Sequence, residues 1–86
     1  MTNPQRNPIF TFEQNDQLYF LVNTETGDET ECNAIVYLVW QMCDGNTTID
    51  EMVSLLREAY PDAAQDIAED IDFIVNNLTQ LGALTH

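Results

Sequence analysis

The sequence predicts an α+β domain, a three-stranded antiparallel sheet followed by three helices. Three observations lead there. From Pro8 the chain alternates apolar and polar side chains between turn signals, the mark of short strands. Residues 33 to 59 hold two amphipathic helical patterns hinged at Asp44-Gly45 around the only Trp. A last helical stripe stops at Gly82.

Residues 1 to 7 are polar and contain Pro4, so they read as a flexible tail ahead of a single domain over 8 to 86. Phe10 and Phe12 then share one face of a first strand. Asn15-Asp16 has turn chemistry, and residues 17 to 22, with Leu18, Tyr19, Phe20, Leu21 and Val22, form a second strand. Residues 23 to 28 make another turn in which Gly27 supplies positive φ. Glu29-Thr30-Glu31-Cys32 is short and charged, the composition of a sheet edge that avoids unwanted pairing while keeping backbone groups open to a chosen partner.

The first helix, 33 to 43, is apolar at nearly every position from Ala34 to Cys43 and is therefore expected to be buried almost all round, with Asn33 as its cap. The second, 48 to 59, begins in a capping box of Thr48 with Glu51, or alternatively of Thr47 with Asp50. It closes at Tyr60-Pro61, because a residue before proline is pushed out of the helical region. The third, 62 to 81, takes Asp62 as cap and carries Ile67, Ile71, Ile74, Val75, Leu78 and Leu81 in one stripe. The expected core joins Phe10, Phe12, Leu18 and Phe20 to Ile35, Leu38, Val39, Trp40, Met42, Ile49, Val53 and Leu56. From the last helix and the tail it adds Ile67, Ile71, Ile74, Val75, Leu78 and Leu84. Phe73 falls outside the stripe, among Asp66, Asp70 and Asn77, and is either a single exposed aromatic or one wall of a binding groove.

Composition bounds the function. At 86 residues the chain has room for one small core and none for a large cofactor cavity. Fifteen acidic residues face only Arg6 and Arg57, a formal charge of −13. A winged-helix-like order of strands and helices would otherwise suggest a DNA reader, but phosphate backbones and anionic membranes are repelled by such a charge. Cys32 and Cys43 stand at the two ends of the first helix, ~16 Å apart, too far for a disulfide. Reduced thiols and the lack of a signal-type or membrane-spanning apolar run point to the cytoplasm.

Catalytic chemistry is missing. The only histidine is His86, the carboxylates fall on helix starts and solvent faces, and no phosphate loop, Ser-centred elbow or Cys-His pair is present. An acyl carrier would need a Ser at a helix start, whereas Ser54 lies inside a helix between Val53 and Leu55. The chain reads as a non-enzyme without cofactor or metal.

Several of these residues carry a resemblance. Asn33 opens the first helix, Trp40 lies inside it, Cys43-Asp44-Gly45 ends it, and Thr48-Ile49-Asp50-Glu51 starts a helix that ends at Tyr60-Pro61. With the strands before and the helix ending in Leu81-Gly82-Ala83-Leu84, residues 8 to 84 resemble the PqqD-like family, RiPP recognition elements that hold the leader peptide of a ribosomally made precursor. The sequence departs from that pattern at Cys32, where a larger aliphatic residue is usual, and at Ala34-Ile35, where a polar or small pair is.

The resemblance implies a peptide chaperone that presents a precursor peptide to a modifying enzyme, in this family often a radical SAM enzyme. The peptide is expected to add as an antiparallel strand along Glu29, Thr30, Glu31 and Cys32. Phe73, Ile74 and Asn77 would wall the cleft and Asp70 would meet a Lys or Arg; the opposite flank, Ala68 and Asp72, is the alternative. A different class of function, an acidic interaction or anti-regulator module that covers a basic partner with no precursor peptide, fits the same composition.

Overall fold

The structure, a computed structural model, describes residues 3–85. The expectations placed on His86 and on the first two residues of the tail lie outside that range. Three strands, β2 (Phe10–Asn15), β3 (Leu18–Asn23) and β4 (Glu29–Cys32), form an antiparallel sheet in the order β2-β3-β4. Three helices follow: α1 (Ala34–Met42), α2 (Ile49–Ala59) and α3 (Ile67–Gln80). This is the predicted α+β architecture.

Residues 3 to 7 differ from a free tail. A short strand β1 (Gln5–Arg6) pairs antiparallel with β5 (Leu84–Thr85), and Pro4 is buried. The pairing continues into the turn after α1, where Arg6 N–H donates to Cys43 C=O at 2.9 Å and Gly45 N–H donates to Pro4 C=O at 3.1 Å. Arg6 also donates through Nη1 to Gln41 C=O at 2.7 Å. Main-chain groups carry this clasp, so a polar sequence gives no hydropathy signal for it.

Local sequence chemistry sets the helix ends. Asn33 caps α1 by accepting from Val36 N–H, and Thr48 and Glu51 form a reciprocal capping box on α2. Gly82, at φ 84°, ends α3 in a Schellman arrangement: its N–H donates to Thr79 C=O, and Ala83 N–H donates to Leu78 C=O. The start of α3 departs from expectation. Pro61–Ala63 is a separate 3₁₀ turn, residues 64 to 66 are a turn, and Asp66 rather than Asp62 stands at the N-cap, without a side-chain bond. Arg57 reaches from α2 to donate to Ala64 C=O at 3.0 Å, a bond that a continuous helix from residue 62 would claim for its own ladder.

The core lies between the inner face of the sheet and the helices. Val39, Trp40, Leu56, Ile67, Ile71, Ile74, Val75, Leu78 and Leu84 are buried as predicted, joined by Cys43, Met52 and Ala83. Each fully buried side chain of Leu or Met size stabilises by about 1.5–3 kcal/mol. The second strand is the main correction. Leu21 is 2 % exposed while Leu18, placed in the core from sequence, is 46 % exposed. Phe12 pairs with Leu21 and Gln14 with Tyr19, so the inner face of β3 carries Tyr19 and Leu21, and Leu18, Phe20 and Val22 face outward. The segment is apolar on both faces, and its phase is set by the two-residue turn at Asp16-Gln17, where Asp16 takes φ 57°. Beneath the sheet Tyr37 stacks on Tyr19 at 4.9 Å and meets Phe12 edge-on at 5.3 Å; Phe12 also meets Trp40 at 5.6 Å. Leu81, read as part of the buried stripe, is 51 % exposed.

Candidate functional site

β4 is an edge of its sheet, and its ladder fixes which backbone groups remain available. Asn23 N–H donates to Asp28 C=O at 2.9 Å, one residue before β4 begins. Antiparallel pairs alternate between bonded and non-bonded, so in the register Leu21↔Thr30 and Tyr19↔Cys32 the main chains of Thr30 and Cys32 are turned inward to β3. Glu29 and Glu31 therefore direct N–H and C=O to the free edge. Their carboxylates project from the outer face of the sheet, whereas Thr30 and Cys32 project toward the helices. Within Glu29–Cys32, backbone and side-chain roles thus fall on alternate residues.

Beside this edge lies a concavity of about 270 Å³. Thr30 and Cys32 form one side, Val36 of α1 the floor, and Phe73, Ile74, Asn77, Leu78 and Leu81 of α3 the other side. Phe73 is 71 % exposed, a large aromatic held out from the stripe that anchors α3. The Asn77 amide donates to Phe73 C=O at 2.8 Å, which fixes that side chain along the helix. A second concavity of about 280 Å³ continues past the end of β4, sharing Val36, Phe73 and Ile74 with the first and adding Asn33, Ile35 and Asp70. Of the residues singled out from sequence, Thr30, Cys32, Phe73, Ile74 and Asn77 line the first hollow, and Asp70 joins Phe73 and Ile74 in the second. Ala68 and Asp72 line neither. Val36 and Leu81 do not stand out in the sequence: Val36 sits in a helix that is apolar at nearly every position, and Leu81 simply continues the stripe of the last helix.

The first hollow has no charged residue in its lining, and Asp70 is the one carboxylate in the second. Burial raises the Cys32 thiol above its ordinary range, an effect that a backbone hydrogen bond from Leu21 partly offsets, so this residue is a neutral side chain rather than a nucleophile. Cys43, farther inside, is pushed up to about 11 by burial and donates to Val39 C=O at 3.1 Å. The Asp44 carboxyl is held below its ordinary value by hydrogen bonds from Asn46 N–H at 2.8 Å and from Thr47. Among the described residues no cluster of His, Cys, Asp or Glu could hold a metal ion, and no helix is long and apolar enough to cross a membrane. The arrangement offers two unpaired backbone positions, an apolar trough and a carboxylate at one end, which suits an extended chain.

Solved structures share this fold at low sequence identity. A lasso peptide synthetase B1 complexed with the leader peptide superposes with a TM-score of 0.80 at 19% identity, covering 98% of this chain and 99% of that one. TbiB1 in complex with the TbiA(beta) leader peptide gives a TM-score of 0.75 at 15% identity, with 93% of each chain covered. No curated protein matches the sequence. Residues 19–84 match the PqqD family, coenzyme PQQ synthesis protein D. That span includes the edge strand, the groove and all three helices, and on it the chain belongs to the PqqD family.

Proposed function

We propose that this protein is a RiPP recognition element: a non-catalytic chaperone that binds the leader of a ribosomally made precursor peptide by strand addition and presents the precursor to a modifying enzyme. The observation that carries the reading is the pairing of a free edge at Glu29 and Glu31 with the apolar trough walled by Phe73, Ile74 and Leu81. A guest strand on β4 gains main-chain hydrogen bonds that tolerate many sequences, and side chains entering the trough supply selectivity. The two structural neighbours hold leader peptides, and the family match supports the same class of partner.

Glu29, Thr30, Glu31 and Cys32 would supply the strand, with Asp70, Phe73, Ile74 and Asn77 as the facing wall. The site of action is the cytoplasm, where a precursor peptide is made and both thiols stay reduced. The modifying enzyme is of the radical SAM or lasso synthetase type. The test is a search of the neighbouring genes for a short precursor and a titration of its labelled leader-length segment, followed by fluorescence anisotropy. Saturable binding at micromolar concentration or tighter is expected, weakened by about 1–2 kcal/mol in Phe73→Ala. No binding in that range would return the acidic interaction module as the better reading.

A further inference from the structure

The trough does not stop at Asp70. A third hollow, of about 120 Å³, opens beyond it between α1, α2 and the start of α3. Ile35 and Asp70 belong to both this hollow and the one before it, which places the three hollows in succession along α3. Its walls are Leu56, Ile67 and Ile71, with Tyr60, 41 % exposed, and Ala63 at the rim. A cavity of about 150 Å³ accepts benzene, so this one suits a single branched aliphatic side chain. Asp70 is the only charged group in the lining. Among the described residues both arginines are engaged elsewhere, Arg6 at Gln41 C=O and Arg57 at Ala64 C=O, which leaves Asp70 open to a cation carried by the guest.

We propose that this hollow is a second subsite for the same bound peptide, taking one Leu, Ile or Val side chain with a Lys or Arg beside it against Asp70. The inference rests on the strand-addition reading above. Orientation follows from it. A guest antiparallel to β4 runs from the Cys32 end toward Glu29, so the residues that reach past Asn33 lie N-terminal to the added strand. The pocket therefore reads leader residues upstream of the strand, whereas the Phe73 trough reads the strand itself. With a side chain in each, the two subsites fix the register of a strand that main-chain bonds alone would let slip.

The experiment uses the full chain and an mRNA-display library of random 16-residue peptides. Selected peptides are expected to carry an aliphatic residue next to Lys or Arg, upstream of a β-rich segment. Removing those upstream residues should cost about tenfold in affinity, the worth of roughly one buried aliphatic side chain. Ala63→Trp, which sets a ring over the pocket mouth, should impose a similar loss on the full peptide and none on the shortened one. Asp70→Asn should weaken the full peptide several-fold at low salt and not at high salt. Equal affinities of full and shortened peptides for the wild type, or an Ala63→Trp loss that persists with the shortened peptide, would overturn the subsite. In those cases strand addition still stands if Glu31→Pro and Phe73→Ala weaken both peptides. Recovery of no peptide, or of peptides indifferent to Glu31→Pro and Phe73→Ala, would overturn strand addition and the subsite together.

Discussion

Two neighbouring proline substitutions separate the binding edge from the fold. Thr30 N–H belongs to the β3 ladder opposite Leu21, and Glu31 N–H faces the open side. Thr30→Pro removes a donor that a buried strand uses and leaves the Leu21 carbonyl unpaired, a cost of about 1–3 kcal/mol before any backbone adjustment. In a domain of this size about 2 kcal/mol corresponds to a fall of roughly 8–16 °C in melting temperature. Glu31→Pro removes a donor that only a guest would use, and proline is tolerated on an edge whose N–H faces solvent. Its melting temperature is expected to stay within a few degrees of wild type. Leader affinity should fall by about 0.5–1.5 kcal/mol for the lost hydrogen bond, between twofold and tenfold or so. Glu31→Gln controls for the lost charge. Circular dichroism melts and peptide anisotropy titrations on the same four proteins give both readouts. A Glu31→Pro variant that melts as low as Thr30→Pro, or that binds like wild type, would refute the assignment of the free edge.

Other consequences are equally direct. Phe73→Ala should change stability by no more than about 0.5 kcal/mol, because the ring is 71 % exposed, while weakening a bound peptide by about 1–2 kcal/mol in the same titration. Gly82→Ala forces a Cβ into φ 84° and should cost about 1–2 kcal/mol in urea unfolding, with little effect on binding. Cys43 keeps its proton to about pH 11 in the folded chain, against an ordinary value of 9.0. Between those limits the unfolded chain releases a proton that the folded chain holds, so stability falls as pH rises from about 9 to about 11, by at most ~1.4 kcal/mol per pH unit. The difference between wild type and Cys43→Ala in urea melts across that range isolates the contribution. Asp44 behaves oppositely: its lowered value contributes stability that is lost only as acid protonates the folded carboxylate, and Asp44→Ala should flatten that part of the acid limb.

What the sequence made legible divides along physical lines. Caps and stops are local chemistry, and Asn33, Thr48-Glu51 and Gly82 were readable as such. Phe73 was readable as an anomaly, since an amphipathic stripe makes any large residue off its face conspicuous. The phase of β3 was not, because Leu18-Phe20-Val22 and Tyr19-Leu21 are both apolar sets and only the hairpin register chooses between them. The break ahead of α3 is accompanied by Arg57 reaching across from another helix to Ala64 C=O, a contact between elements that no local pattern signals. The inward turn of Thr30 depends on a ladder whose phase is a property of two strands together.

The pairing of Gln5 with Thr85 brings two positions eighty residues apart to opposite sides of one ladder rung. A short linker of Gly and Ser residues from Thr85 back to Asn3 keeps Pro4 in its bond to Gly45, so the polypeptide can be closed there and reopened elsewhere with its ladders in place. Asp16-Gln17, an exposed two-residue loop, is a natural place to cut. Such a permutant would carry new termini at the far end of the β2-β3 hairpin, and an enzyme or a reporter could be fused there while the β1-β5 seam is held shut by its own linker.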